Sequence, residues 1–192
     1  MFRILVYLII IGLFSCNSPT DKDKDKYVRE LPDAAAINES ILAVILVDSL
    51  NYNFGISKSI KEMKIYYPVK WNNDSVPPPP PPPAPALSFY KIFSFMDYSI
   101  DASKRKNDSI FVSLQADTTR KFELDKQIYS KFNNASDEYY QFYIPIFSFD
   151  KNYVFIQYWR NCGALCGECE SIVLKKLQNK WTKIDKWSCG MR

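Results

Sequence analysis

The sequence contains no histidine. Without an imidazole there is no Ser-His-Asp or Cys-His nucleophile pair, no histidine metal ligand, and no side chain whose ordinary pKa lies near neutrality. The S-x-x-K spacing at residues 88–91 has no companion K-T-G or S-D-N triplet, so it does not indicate a penicillin-binding type of site. Most acidic residues lie in turns or beside lysines. We therefore predict no catalytic residue, no metal site and no cofactor.

The chain also has little net charge. Its 25 Lys and Arg residues and 21 Asp and Glu residues give a formal charge of +4, and the two signs are interspersed along the chain. This balance offers no electrostatic footprint for a nucleic acid, so we expect no nucleic-acid partner. A length of 192 residues with 47% hydrophobic residues suits one globular domain with a buried core.

No apolar run is long enough to cross a membrane as a helix. The longest, residues 4–14, has eleven residues, which rise about 16 Å, whereas the hydrocarbon core is roughly 30 Å thick. Arg3 precedes this run and Ser15-Cys16 follows it, which is the order of a bacterial lipoprotein signal, although Phe14 stands where a small residue is more usual. We predict a signal peptide over residues 1–15 and lipidation at Cys16, which attaches the protein to a membrane. Ordinary secretion and an uncleaved anchor are the alternatives.

The residues after Cys16 are polar and charged. Residues 17–26, NSPTDKDKDK, contain no apolar side chain, and we predict a flexible charged tether over residues 16–30. A single globular domain is expected over residues 31–192. Because Asn17 rather than an aspartate follows Cys16, we expect the lipid in the outer membrane, with a periplasmic or a surface-facing orientation left open.

Seven consecutive prolines occupy residues 77–83. Proline has no amide donor and a fixed φ, so this run predicts a polyproline II rod of roughly 22 Å that joins neither a helix nor a sheet. We expect residues 77–86 to form a proline-rich surface loop. A docking ligand for an aromatic groove is the functional alternative.

The globular part is predicted to begin with a helix over residues 33–50. Ile37, Ile41 and Ile45 recur with helical spacing, and Asp33 is the expected N-cap. Residues 56–64 are expected to add a helical turn, and residues 64–69 a short strand that is broken at Pro68.

From residue 87 onward the composition favours strands, because β-branched and aromatic residues are frequent. The predicted strands are residues 87–99, 109–116, 139–149, 153–160, 170–177 and 181–188, and residues 122–132 suit a helix. Short connections favour antiparallel neighbours. We predict an α+β fold in which the N-terminal helix packs on an antiparallel β-meander sheet that is stapled by disulfides at the C-terminus.

Four cysteines follow Cys16, and all lie near the C-terminus: Cys162, Cys166, Cys169 and Cys189. Their spacing also occurs in iron–sulfur and zinc sites, but export into an oxidising compartment favours disulfides, for which three pairings are possible. If residues 178–180 form a three-residue hairpin loop, Cys169 faces Cys189 across two strands and Cys162 pairs with Cys166. A redox-active pair of Cys166 and Cys169 is the alternative.

The C-terminal quarter of the chain carries a resemblance. Residues 144–153 (IPIFSFDKNY), residues 162–167 (CGALCG) and Lys180-Trp181 resemble the end of uncharacterised small envelope lipoproteins of the Bacteroidetes type. The shared order is a P-x-F-S-x-D hairpin, a strand, a C-G-x-L-C-G turn and a last hairpin with K-W. The resemblance implies that Cys162 and Cys166 belong together, and it implies no activity.

Bacteria of that type O-glycosylate exported proteins at an Asp followed by Ser or Thr and then an apolar residue or Thr. Four triplets fit: Asp48-Ser49-Leu50, Asp74-Ser75-Val76, Asp108-Ser109-Ile110 and Asp117-Thr118-Thr119. The candidate O-glycosylation sites are Ser75, Ser109 and Thr118. Ser75 is expected to be the most exposed, because it lies beside the prolines.

Together these patterns lead us to expect a membrane-anchored envelope lipoprotein that binds a partner or serves as an accessory protein, in the manner of an inhibitor or immunity protein. The expected partner is an envelope protein or a glycan. The alternative is an envelope enzyme that uses carboxylates or thiols, including a C-x-x-C thiol oxidoreductase. Aromatic residues make up 16% of the chain, and we expect most of them in the core rather than on a binding face.

Overall fold

A computed structural model describes residues 21–66, 86–88, 91–92, 94–95, 102–116, 121–163 and 166–191. The predicted signal peptide, Cys16 and the prolines of residues 77–83 lie outside the described residues. The chain divides into two compact units, residues 1–30 and residues 31–192.

The described residues form four helices and ten strands. The helices are α1 (Asp21–Arg29), α2 (Ala34–Val47), α3 (Ala102–Ala116) and α4 (Lys126–Tyr129). The strands are β1 (Gly55–Ile56), β2 (Ser59–Ile60), β3 (Lys64–Tyr66), β4 (Ala86–Ser88), β5 (Phe122–Glu123), β6 (Tyr139–Phe142), β7 (Ile146–Phe147), β8 (Tyr153–Asn161), β9 (Gly167–Leu177) and β10 (Lys180–Met191). None of the helices in this part of the chain is long and apolar enough to cross a membrane.

Helix α1 occupies residues for which the sequence predicts a flexible tether. The alternation of Asp and Lys over residues 21–26 puts opposite charges three residues apart and like charges four residues apart, so charge pairing does not account for this helix. A tether over residues 16–30 stays a prediction, with helical structure at residues 21–29.

Helix α2 confirms the first predicted helix. The Asp33 carboxylate accepts the Ala36 N–H at 2.8 Å, which satisfies an amide that has no partner within the helix. The inward face consists of buried apolar side chains, among them Ile37, Ile41 and Val44. The helix ends at Asp48, whose N–H donates to the Val44 carbonyl at 2.9 Å.

The main sheet has the strand order β1-β6-β8-β9-β10, with β7 also paired to β8. All of these pairs are antiparallel except β1–β6. Two small sheets, β2–β5 and β3–β4, complete the strands of the described residues. The fold is therefore α+β with a mostly antiparallel sheet, as the sequence predicts.

The two faces of the sheet are covered by different elements. Side chains alternate along a strand and facing residues share a face, so Tyr158 lies on the same side as Glu170, and Phe155 on the opposite side with Val173. Helix α2 lies on the Tyr158 face, where its end residue Asp48 contacts Tyr158. The Phe155 face belongs to a buried apolar cluster that includes Val112 of α3.

Four predicted elements differ from the structure. Residues 109–116 belong to α3 rather than to a strand, and the inward side of this helix includes the buried polar side chains of Asp108 and Gln115. Residues 56–64 contain the end of β1, all of β2 and the first residue of β3 rather than a helical turn, and residues 122–132 divide into β5 and the short α4. Of the predicted strand over residues 87–99, the described part contains β4, which begins at Ala86, the last residue of the predicted proline-rich loop, whereas the described residues 91–92 are helical.

The last hairpin turns with two residues, not three. Gln178 and Asn179 both have positive φ, 48° and 62°, as a type I′ turn requires, so Lys180 rather than Trp181 faces Leu177. An irregularity between Lys183 and Asp185 then shifts the pairing by one residue. From Asp185 to Ser188 the strands have the predicted register, but a second irregularity between Ser188 and Gly190 shifts it again, so Gly190 rather than Cys189 pairs with Cys169. The predicted disulfide nevertheless forms, because Cys189 is adjacent to Gly190 and the Cα atoms of Cys169 and Cys189 lie 5.0 Å apart.

Candidate functional site

The described surface has an open cleft of ≈ 310 Å³ beyond the C-terminal end of α2. Helix α2 stops at Val47, and the sheet continues past it. The cleft lies between residues 48–51, which follow α2, and side chains of the strands β6, β8, β9 and β10. We call this region the α2-end cleft. It is lined by Phe54, by the Tyr140 and Tyr158 side chains, and by charged side chains of both signs.

Asp48 holds one wall of the α2-end cleft. Its carboxylate accepts a hydrogen bond from the Tyr158 hydroxyl group, and it forms ion pairs with Lys186 Nζ at 2.9 Å and Lys183 Nζ at 3.2 Å. The Asp48 side chain is only 6% exposed. Because these partners lie on β8 and β10, the single carboxylate ties the end of α2 to two strands of the sheet.

The environment of Asp48 keeps it ionised. Burial by itself raises the pKa of this carboxyl group, but the hydrogen bonds from Tyr158, Lys186 and Lys183 outweigh burial and lower the pKa below its ordinary value of 3.8. A general acid needs the opposite shift, because it must carry a proton near neutral pH. Asp48 is therefore suited to pairing and hydrogen bonding rather than to proton donation.

The two tyrosines at the base of the cleft remain phenols. Burial raises the pKa of Tyr158, and its hydrogen bond to the Asp48 carboxylate raises the pKa further. Burial also raises the pKa of Tyr140, whose hydroxyl oxygen accepts the Asn51 N–H at 3.3 Å. Both rings are buried, so these residues offer hydroxyl groups to the cleft rather than ring faces.

The opposite wall is a cross-strand ion pair. Arg160 on β8 faces Glu168 on β9, and Arg160 Nη2 lies 3.1 Å from Glu168 Oε2. The guanidinium carbon lies 6.0 Å from the centre of the Phe54 ring. Arg160 Nε is buried and has no hydrogen-bond partner within the described protein. This wall thus combines one aromatic ring with a donor group that the protein leaves unsatisfied.

Two carboxylates converge in the cleft, which is the arrangement that a carboxylate enzyme would need. Lys186 Nζ lies 2.9 Å from Asp48 and 4.0 Å from Glu170, so one ammonium group stands beside both. In acid–base pairs one carboxyl group has a raised pKa and can deliver a proton. Here the cation and the lowered pKa of Asp48 favour a charged, paired state instead.

The four C-terminal cysteines form two disulfides, Cys162–Cys166 and Cys169–Cys189. This confirms the predicted pairing. Cys166 and Cys169 are bonded to different partners, so the predicted alternative of a redox-active Cys166–Cys169 pair is wrong for this structure. Cys162–Cys166 joins the ends of β8 and β9, two residues beyond the Arg160–Glu168 ion pair on each side, and thereby holds the end of the cleft wall.

The candidate O-glycosylation sites lie apart from the cleft or outside the described residues. Ser75 and Thr118 belong to the residues outside the description, as does the predicted lipid site Cys16. Ser109 lies within α3, and the preceding Asp108 is fully buried, where its carboxylate accepts the Phe149 N–H at 2.6 Å. The triplet that contains Ser109 is therefore helical and partly inaccessible, which disfavours modification there.

Sequence reasoning missed the residues of the α2-end cleft. Their one local signal is in the strands: Tyr158 and Arg160 on β8, and Glu168 and Glu170 on β9, are polar residues at alternate positions next to apolar stretches. That pattern marks where one face of the sheet leaves the core. It does not show that the end of α2 lies opposite.

The described residues contain no group of three side chains that could hold a metal ion. Comparison of the chain with protein-family models, with curated proteins and with solved structures gives no match.

Proposed function

We propose that this chain is a lipid-anchored envelope protein that binds a partner at the α2-end cleft and catalyses no reaction. The observation that carries the proposal is the composition of the cleft. It is open to solvent, it is lined by tyrosine, arginine and carboxylate side chains, and its Asp48 carboxylate is paired with two lysines and has a lowered pKa rather than being poised for proton donation. Ligand sites commonly combine a concave surface with a few convergent polar groups.

The sequence supports the anchored location. Lipidation at Cys16 would place the domain at the outer membrane, where the partner is an envelope protein or a glycan. The two disulfides support export, because such bonds persist in oxidising compartments. An accessory role, such as that of an inhibitor or an immunity protein, is consistent with a binding cleft whose Asp48 carboxylate is held in ion pairs.

The experiment that tests this proposal is a capture of partners from envelope fractions. The bait is the full chain, and its cleft variant combines Arg160→Ala with Glu168→Ala. The matched control combines Lys58→Ala with Glu123→Ala, which removes another oppositely charged pair, 63% and 67% exposed, from a site outside the cleft. Both double variants leave the net charge unchanged.

We expect the wild type and the control to enrich the same partner and the cleft variant to lose it by at least about tenfold, the effect of removing charged hydrogen bonds. Equal enrichment by all three baits would contradict binding at the cleft. A Cys16→Ser variant of the bait tests separately whether the chain is lipidated at Cys16. It is expected to lose the acyl mass and to leave the detergent phase, and retention of both properties would contradict lipidation at Cys16.

A further inference from the structure

We infer that the α2-end cleft binds an uncharged saccharide unit. This inference rests on the proposed binding function and specifies the chemical class of the ligand. Its first support is the balance of charge inside the cleft. Arg160 is paired with Glu168, while Lys186 contacts both Asp48 and Glu170. Lys183, which does not line the cleft, is the second cation on Asp48. Every charged side chain of the lining is thus already in an ion pair within the protein.

A ligand with a net charge is poorly matched to this arrangement. To bind an anion, Arg160 or Lys186 would have to release a carboxylate partner, and that carboxylate would then lie unpaired in a partly enclosed site. To bind a cation, a carboxylate would have to release its Lys or Arg partner in the same way. A neutral ligand that both donates and accepts hydrogen bonds leaves every ion pair in place.

The polar groups of the cleft suit vicinal hydroxyl groups. A carboxylate and a guanidinium each present two coplanar atoms, which can contact two adjacent hydroxyls at once. The Arg160 and Glu168 side chains are 36% and 44% exposed, so both are accessible to a ligand. The Tyr140 oxygen accepts the Asn51 N–H, and a phenol O–H can also donate.

The size and the apolar component also fit a sugar ring. At ≈ 310 Å³ the cleft lies at the low end of the range for small-molecule sites, about 300 to 1,000 Å³. Phe54 supplies an apolar wall beside these polar groups. A small ligand with hydroxyls along its edges and C–H groups on its faces can contact both kinds of surface.

The test uses the full chain, extracted from membranes in a zwitterionic detergent, because a detergent with a sugar headgroup would compete. The neutral probes are maltose, lactose, cellobiose and diacetylchitobiose, and the charged probes are galacturonic acid and glucosamine. Binding is measured by saturation-transfer NMR for the wild type, the Arg160→Ala/Glu168→Ala variant and the Lys58→Ala/Glu123→Ala control. Thermal unfolding checks that each variant is folded, and Glu168→Gln replaces the double variant if that one is not.

We expect at least one neutral disaccharide to bind the wild type and the control, with binding weakened at least about tenfold in the cleft variant. The inference is overturned if no neutral probe binds, if the charged probes bind more tightly, or if the control loses as much affinity as the cleft variant. If saccharides fail while envelope capture still depends on the cleft, the ligand class is wrong and the binding function stands. If neither depends on the cleft, both proposals fail.

Discussion

Replacing Cys169 and Cys189 by alanine is expected to lower the free energy of unfolding by about 3 kcal/mol. The bond joins residues 20 apart in sequence, so its loss releases a loop of β9, the type I′ turn and β10 in the unfolded chain. It also removes a fully buried contact, because Cys169 belongs to the apolar cluster on the Phe155 face of the sheet. The measurement is the urea midpoint and slope of the double variant against the wild type.

The matched control is the Cys162→Ala/Cys166→Ala variant. These cysteines are only four residues apart, and Cys166 is exposed, so we expect a smaller loss of about 2 kcal/mol. If the two double variants lose equal stability, or if the order is reversed, the larger loop does not dominate the contribution of the disulfides.

Asp48→Asn is expected to destabilise the protein by about 2 kcal/mol at neutral pH, the magnitude of lost hydrogen bonds to a charged group. The substitution preserves the shape of the side chain but removes the charge that both Lys183 and Lys186 face. A larger effect is not expected, because both lysines remain about one-third exposed and regain water.

The same variant gives a pH signature. The pKa of Asp48 is lower in the folded chain than its ordinary value of 3.8, so its stabilising contribution is present above that value and is lost as the pH falls through the folded pKa. We expect the difference in unfolding free energy between wild type and Asp48→Asn to be constant near neutrality and to shrink below about pH 4. Urea unfolding at pH 7, 5, 4 and 3 measures it.

Glu39→Gln is the control for Asp48→Asn, because Glu39 also joins α2 to the sheet. Its carboxylate contacts Lys176 Nζ at 3.3 Å and accepts from Trp181 Nε1 at 3.0 Å, but its side chain is 55% exposed. We expect a change of at most about 0.5 kcal/mol. A loss as large as that of Asp48→Asn would show that burial of the carboxylate is not what makes Asp48 important.

The elements that the sequence predicts well are those with an unbroken apolar pattern. Helix α2 has an N-cap and an inward face of isoleucines and valines, and β8 and β9 carry β-branched and aromatic runs. Helix α3 was missed because its inward side includes the polar residues Asp108 and Gln115. A polar residue is tolerated at position 115 because the Gln115 side-chain amide both donates to and accepts from the backbone of Phe147 on β7.

The α2-end cleft has no comparable local signature. Asp48 is 110 residues from Tyr158 and 138 residues from Lys186, so their contact depends on where α2 ends over the sheet. The pairing at the far end of β9 and β10 depends on two strand irregularities that no pattern in the sequence marks. The predicted facing of Cys169 and Cys189 is therefore one residue off, since Gly190 pairs with Cys169, but their disulfide forms because the neighbouring Cys189 is still within reach.

We propose that this protein binds its partner through the α2-end cleft. Site-specific photo-crosslinking in living cells tests it most directly, with a benzophenone side chain at Ser49, an exposed residue that lines the cleft. The comparison position is Lys58, which is exposed and lies outside the cleft. We expect discrete crosslinked adducts from Ser49 and none from Lys58. Adducts of equal yield from both positions, or from Lys58 alone, would contradict it.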